Sequence, residues 1–330
     1  MYKLIFLLSS MAVMSATVAA PVVNKVVLDS SGIVITGKGF GTENPMLFWD
    51  DVKNTYSAQH ASEGDEVLAS STSMWKEKTN IWGAPFTFSE SVRTKTGRKD
   101  VVYYGEGHKN FLGVPNHEAP KELLNEIFVS WWYMPSMSPA AEGGSNKFIR
   151  IWDDSNGRGT KISWTQMHLT CDELVTWGNW KGKVGEWNHH MIHVNLAAKS
   201  IQTWVNGVRI HDGKCEKHPD FANKPLYVGL IGFDHGSGAY RSMTTSIDDI
   251  YIGKSQARVE ISSSPRWSAT MEKEVVPIAS WNDAKITTHL HDGKVRLSKD
   301  MYVYVVDKSG AVNTNGVKAT CTGCPKADFN

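Results

Sequence analysis

Apolar and polar residues alternate with a period of two in ten short runs of this chain: 25–28, 33–36, 128–134, 148–152, 162–169, 190–196, 201–206, 227–233, 246–252 and 301–306. Asn-Gly, Asp-Gly, Gly-Ser and Pro turns stand between them, which is how half-buried strands are written into a sequence. Only 120–127 reads as a helix, and it is short. Many short strands with almost no helix predict an all-β fold made of packed sheets rather than an α/β core. With 330 residues, 41% of them hydrophobic, the chain can bury a real core, as two domains or as one large sandwich. No internal repeat or low-complexity stretch is visible.

The first residues predict export. Lys3 opens a short basic start, residues 4–18 are apolar, and Val18-Ala19-Ala20 supplies small residues for cleavage, so residues 1–20 read as a signal peptide. The apolar run is shorter than the ~20 residues that span a bilayer, and none follows it. The mature chain is therefore expected without a transmembrane segment, either extracellular or periplasmic and at the cell surface. Four cysteines suit disulfides in that setting. Cys171 and Cys215 are placed to staple the middle region, and Cys321 and Cys324 to close a small ring near the end. The net charge of +1, without a run of Lys or Arg, argues against a nucleic-acid partner. The abundance of tryptophan, thirteen residues, leans toward flat contact surfaces for a ligand, with more than half of them expected in the core.

Residues 26–41 (VVLDSSGIVITGKGFG), with the turn Gly37-Lys38-Gly39-Phe40-Gly41, resemble the first hairpin of an IPT/TIG immunoglobulin-like domain. Residues 276–290 (VPIASWNDAKITTHL) and 301–310 (MYVYVVDKSG) resemble that family's closing strands. The resemblance implies one small β-sandwich split into 21–48 and 259–318, a large insertion at 49–258, and a tail at 319–330 carrying Cys321 and Cys324. Insertions succeed where chain ends meet at an exposed loop. The inserted part resembles the concanavalin A-like lectin/glucanase superfamily, laminin G type. Three stretches carry this likeness: 128–135 (FVSWWYMP) with 147–154 (KFIRIWDD), 185–207 (GEWNHHMIHVNLAAKSIQTWVNG) and 227–253 (YVGLIGFDHGSGAYRSMTTSIDDIYIG). What it implies is a jelly roll of two packed antiparallel sheets, one of them concave. Lectins, glycosidases, polysaccharide lyases and adhesive modules share such a fold, so function has to be argued from the site.

Strand alternation says which side chains share a face. Read as continuous strands, 148–152 and 162–168 display Arg150, Trp152, Trp164, Gln166 and His168 together. Indoles stack on sugar rings, and the guanidinium, amide and imidazole bond hydroxyls or a carboxylate. The pair Trp177 and Trp180, in a loop-like stretch, is a further carbohydrate-binding candidate. The partner expected is thus a polysaccharide or other glycan. Gln166-Met167-His168 also resembles the Gln-Ile-His strand of alginate-type lyases. This implies an alternative in which Arg150 or Gln166 neutralises a uronate and His168, or a tyrosine such as Tyr103 or Tyr104, takes the C5 proton. The Arg-rich and the Tyr- and Lys-bearing strands of those lyases have no counterpart here. The Glu-x-Asp-x-x-Glu spacing of retaining glycosidases is absent as well, Glu173 and Glu186 standing alone. A third reading, a surface-assembly subunit, takes the sandwich edges and Trp-rich patches as contacts for other chains.

Two acidic doublets lie at the edges of the insertion, Asp50-Asp51 and Asp248-Asp249. Related sandwiches bring these strands together, so the four carboxylates are expected to hold a structural Ca²⁺ or to stand as solvated partners of Lys53 and Arg258. No organic cofactor is implied. His189 and His193 share a strand face that His190 does not, and exposed strand accounts for His289 and His291 beside Asp292.

Overall fold

The computed structural model describes residues 19–68, 72–76, 84–92, 99–106, 110–115, 124–139, 147–153, 158–165, 168–172, 174–233, 240–289, 291 and 300–321. Residues 1–18, Asp154, Gln166, Glu173 and Cys324 lie outside them. The fold is all-β, and Lys53–Gln59 is the one α-helix among the described residues. Of the predicted helix at 120–127, residues 120–123 lie outside the described residues, and its end is corrected: Glu126 and Ile127 open the strand Glu126–Pro135. The helix that exists carries no side-chain cap on Val52. Its first turn instead donates the Asn54 N–H to Asp51 Oδ1 at 3.1 Å, an arrangement with no apolar periodicity to announce it.

Two large sheets form the main sandwich. In the eight-stranded sheet the order is Val208–Gly213, Ser200–Val205, Asn188–Asn195, Glu126–Pro135, Thr244–Gly253, Lys99–Glu106 and Thr87–Val92, with Met46–Asp50 also on Thr244–Gly253. In the seven-stranded sheet it is Leu174–Trp177, His168–Cys171, Lys161–Thr165, Lys147–Trp152, Tyr227–Phe233, Asn110–Phe111 and Ala84–Pro85. Alternation drives Val129, Trp131 and Tyr133 of one sheet against Phe148, Ile149, Ile151, Ile162 and Trp164 of the other, and all are buried. Each such side chain removed from water stabilises the fold by about 1.5–3 kcal/mol.

The two ends of the chain pair with each other. Val22–Leu28 and Ile33–Lys38 share a five-stranded sheet with Ile278–Asn282, Lys285–Thr288 and Thr320–Cys321. A four-stranded sheet of Glu274–Val275, Arg258–Ser262, Tyr302–Val306 and Val317–Lys318 packs on it. This smaller sandwich shares a core with the back of the eight-stranded sheet: Phe128, Met191 and Tyr251 join Val259, Val303, Val305 and Trp281. The Asn206-Gly207 hairpin is fixed from both sides of that seam. Both residues have positive φ, 50° and 75°, as a tight two-residue turn requires. A Cβ on Gly207 would also stand 1.6 Å from the Ala269 carbonyl oxygen, so only glycine fits.

Candidate functional site

The outer face of the seven-stranded sheet is left open. Lys161, Ser163 and Thr165 point outward while Ile162 and Trp164 point into the core, the alternation a half-buried strand imposes. On the next strand His168 and Thr170 face out, with Leu169 and Cys171 inward. Together with Arg150 and the segment after Cys215 they line a groove of about 970 Å³. Six basic side chains border it, Lys147, Arg150, Arg158, Lys161, Lys214 and Lys217, against two carboxylates, Asp172 and Glu216. A chain whose formal charge is only +1 thus has a local excess of positive charge around this groove.

A disulfide builds the wall of this groove. Cys171 and Cys215 are bonded across 44 residues of sequence, tying the strand His168–Cys171 to the segment that carries Lys214, Lys217 and His218. Lys217 is held by buried Asp153 at 3.1 Å and also donates to the Lys224 carbonyl. The His218 N–H donates to Thr160 Oγ1 at 2.9 Å. Cys321 is disulfide-bonded too.

At the rim His168 pairs with Trp177 across the sheet edge. Their ring centroids are 4.9 Å apart, and Trp177 is 67% exposed. His168 Nδ1 lies 2.8 Å from Thr165 Oγ1, which fixes the ring plane. Burial, with Lys147 adding to it, holds the imidazole below its ordinary pKa. The pair thus presents a neutral imidazole and an open indole face beside a row of cations. This geometry suits a sugar ring stacked on Trp177 with its acidic substituents over Arg150 and the lysines.

The sequence reading of this face needs three corrections. Trp164 is 1% exposed and belongs to the core. The expected continuous strand 162–169 is in fact two antiparallel strands, with Trp164 opposite Leu169, so the chain reverses between Thr165 and His168 and the side-chain parity resets. Trp152 does share the outer side with Arg150 but lies over Gly229, where a Cβ would meet its ring at 2.2 Å, and is 5% exposed. Trp180 is half-buried against the core and donates its indole N–H to His190 Nε2 at 3.0 Å, so it seals the sandwich edge instead of facing a ligand. Gln166 lies outside the described residues.

Of the residues the lyase alternative calls on, Arg150 and His168 both line the groove, and the two tyrosines stand elsewhere. Tyr103 is fully buried in the other sheet, where its hydroxyl donates to Asp50 Oδ2 and accepts from the Trp75 indole at 3.1 Å. Tyr104 bonds Glu106 at 3.2 Å, also on that sheet. No tyrosine lines the groove among the described residues.

Of the four aspartates expected to hold calcium, Asp51 lies near enough to Asp249 to feel its charge, while Asp50 is turned away from it. Asp50 pairs with Ile250 and so faces the core. Its carboxylate accepts from the Val52 N–H, Thr55, Trp75 and Tyr103. Desolvation pushes its pKa up to about 6 in spite of those donors. Asp248 Oδ1 accepts the Asp249 N–H at 2.8 Å. Asp249 turns instead toward the smaller sandwich, where His291 Nε2 lies 2.7 Å from its Oδ2. An imidazole in that position does not suit an ion that wants six to eight oxygens. The sequence reading placed His291 on exposed strand, and this is corrected: it is 6% exposed.

No family model matches the sequence, and no curated protein does. Solved structures of similar outline include a cellulose-induced protein, Cip1 (TM-score 0.37, 14% identity, covering 54% of this chain and 90% of that one). Domain 4 of an extracellular arabinanase from Geobacillus stearothermophilus, in complex with arabinotriose, scores 0.30 at 16% identity, covering 53% and 84%. Arcelin-5, a lectin-like defense protein from Phaseolus vulgaris, scores 0.29 at 8% identity, covering 51% and 86%.

Proposed function

We propose that this is a secreted, lectin-like protein that binds acidic polysaccharide in the groove on the seven-stranded sheet, with the laminin G-type sandwich as its scaffold. The observation that carries this reading is the concentration of six basic side chains around one open groove, with an exposed indole at its rim. Cations lining a cleft raise the local concentration of a polyanion, and a planar guanidinium such as Arg150 matches a carboxylate or sulfate edge. Trp177 adds a sequence-tolerant apolar face for a pyranose ring. Neighbouring structures of similar outline include a lectin-like protein and an arabinotriose complex, and the reading does not lean on them.

Titration calorimetry against polyuronate, sulfated glucan and neutral β-glucan tests it. The two acidic polymers should bind, and Arg150→Ala combined with Lys161→Ala should weaken them at least about tenfold, roughly 1.4 kcal/mol. Equal binding of the neutral polymer, or full affinity in the double variant, would overturn the reading. Following absorbance of unsaturated ends in the same cell separates binding from lyase activity. Growth of polymers by light scattering without glycan uptake would point to the assembly role.

A further inference from the structure

Across the molecule from the groove, the two sandwiches meet over a cluster of ligating side chains. Asp249 comes from the strand Thr244–Gly253 of the large sandwich, while Glu274 and His291 come from the smaller one. Their carboxylate oxygens and imidazole nitrogen all lie within 4.8 Å of one another. Each residue is more than nine-tenths buried, at 3%, 0% and 6% exposure. We infer that Asp249, Glu274 and His291 form a site for a divalent d-block cation, with Zn²⁺ as the probe, which clamps the smaller sandwich to the larger.

The donor chemistry sets the class of ion. Two carboxylates and one imidazole match zinc- or manganese-type sites, whereas Ca²⁺ and Mg²⁺ prefer oxygen alone.

Two further contacts orient the ligands. The Trp132 indole N–H donates to Glu274 Oε1 at 2.6 Å, and the Trp49 ring stands edge-on to His291 at 5.0 Å. Such outer partners fix the rotamer of a ligating side chain. This site shares no residue with the groove, so its failure leaves the polysaccharide reading untouched.

The test uses the full mature chain, stripped with chelator and dialysed against Zn²⁺, Mn²⁺ or Ca²⁺, with metal content read by mass spectrometry. One Zn²⁺ or Mn²⁺ per chain should be retained, with a rise in Tm. His291→Ala and Asp249→Asn should each weaken retention at least about tenfold. Trp132→Phe, which leaves every ligand in place and keeps the fold's apolar contact, should weaken it by about 10-fold through the loss of one N–H. Co²⁺ loading adds a readout at the metal itself: visible bands present in the parent chain and lost in His291→Ala. Retention of only a trace of Zn²⁺ and Mn²⁺ would overturn the site. So would Zn²⁺ retention unchanged by His291→Ala, Asp249→Asn and Trp132→Phe, or uptake of Ca²⁺ alone.

Discussion

The two outer faces of the large sandwich obey one alternation and end in opposite states. On the seven-stranded sheet the outward residues Arg150, Lys161 and His168 line an open groove. On the eight-stranded sheet the smaller sandwich covers the outward residues, so Phe128, Met191 and Tyr251 become core. Every charge there must find a partner: Arg258 lies 2.7 Å from Glu260, which the Trp267 indole also contacts, and Asp249 meets His291. Glu260 shows the balance. Burial alone would raise its pKa, yet Arg258 and Lys273 hold it down at about 2. The difference teaches that polarity on a strand does not mark a binding face; cover decides whether a charge serves a ligand or the fold.

Substitutions on the covered face should therefore cost stability, and those on the open face affinity. The largest effect is expected for Arg258→Ala, which strands the fully buried Glu260 carboxylate and removes the cation 4.7 Å over the Phe128 ring. Denaturant unfolding should show a loss of about 3–5 kcal/mol. Breaking the Cys171–Cys215 bond releases a 44-residue separation and should cost about 4 kcal/mol, with a loss of glycan affinity as the groove wall loosens.

Next comes the buried Asp50, whose folded pKa of about 6 lies above its ordinary 3.8. A raised carboxyl pKa means the fold holds the proton more tightly. The stability linked to it is complete below about pH 3.8 and is lost as pH rises through 6, by roughly 3 kcal/mol. Stability curves of the parent and Asp50→Asn should diverge over that window and run parallel above it. His190 works in the opposite sense. Ringed by Trp131, Tyr133, Phe148 and Trp164, it is held well below its ordinary pKa by burial. The fold thus resists its protonation, and stability falls as pH drops below about 6.5. The smallest stability effect is expected for Trp177→Ala, within about 0.5 kcal/mol on unfolding because the ring is open to solvent. Its glycan affinity should nonetheless fall about tenfold if the ring stacks a sugar.

The strands were legible because a half-buried sheet writes its period into the sequence: 227–233 and 301–306 fall almost on Tyr227–Phe233 and Tyr302–Val306. Arg150 and His168 do share an open face, although the reasoning that joined His168 to Trp164 on one continuous strand does not hold. Trp164 was misplaced because a chain reversal between Thr165 and His168 breaks no apolar pattern, yet it exchanges inside for outside. Trp180 and Tyr103 could not be read because packing between distant elements decides their exposure. Glu274 gave no signal, and His291 was read as exposed strand. They meet Asp249 only when strands from 25 and 42 residues further along fold back over the sheet, and sequence spacing carries no trace of that. A histidine and a glutamate flanking an apolar strand opposite an acidic doublet are the nearest thing to a clue.

The central claim is that the open groove captures a polyanion by charge, and the salt dependence of binding reads this most directly. Affinity for polyuronate, measured from about 50 to 500 mM NaCl, should fall steeply as the charges are screened. Arg150→Ala with Lys161→Ala should flatten that slope. An affinity indifferent to salt, or a slope the double variant leaves unchanged, would contradict it.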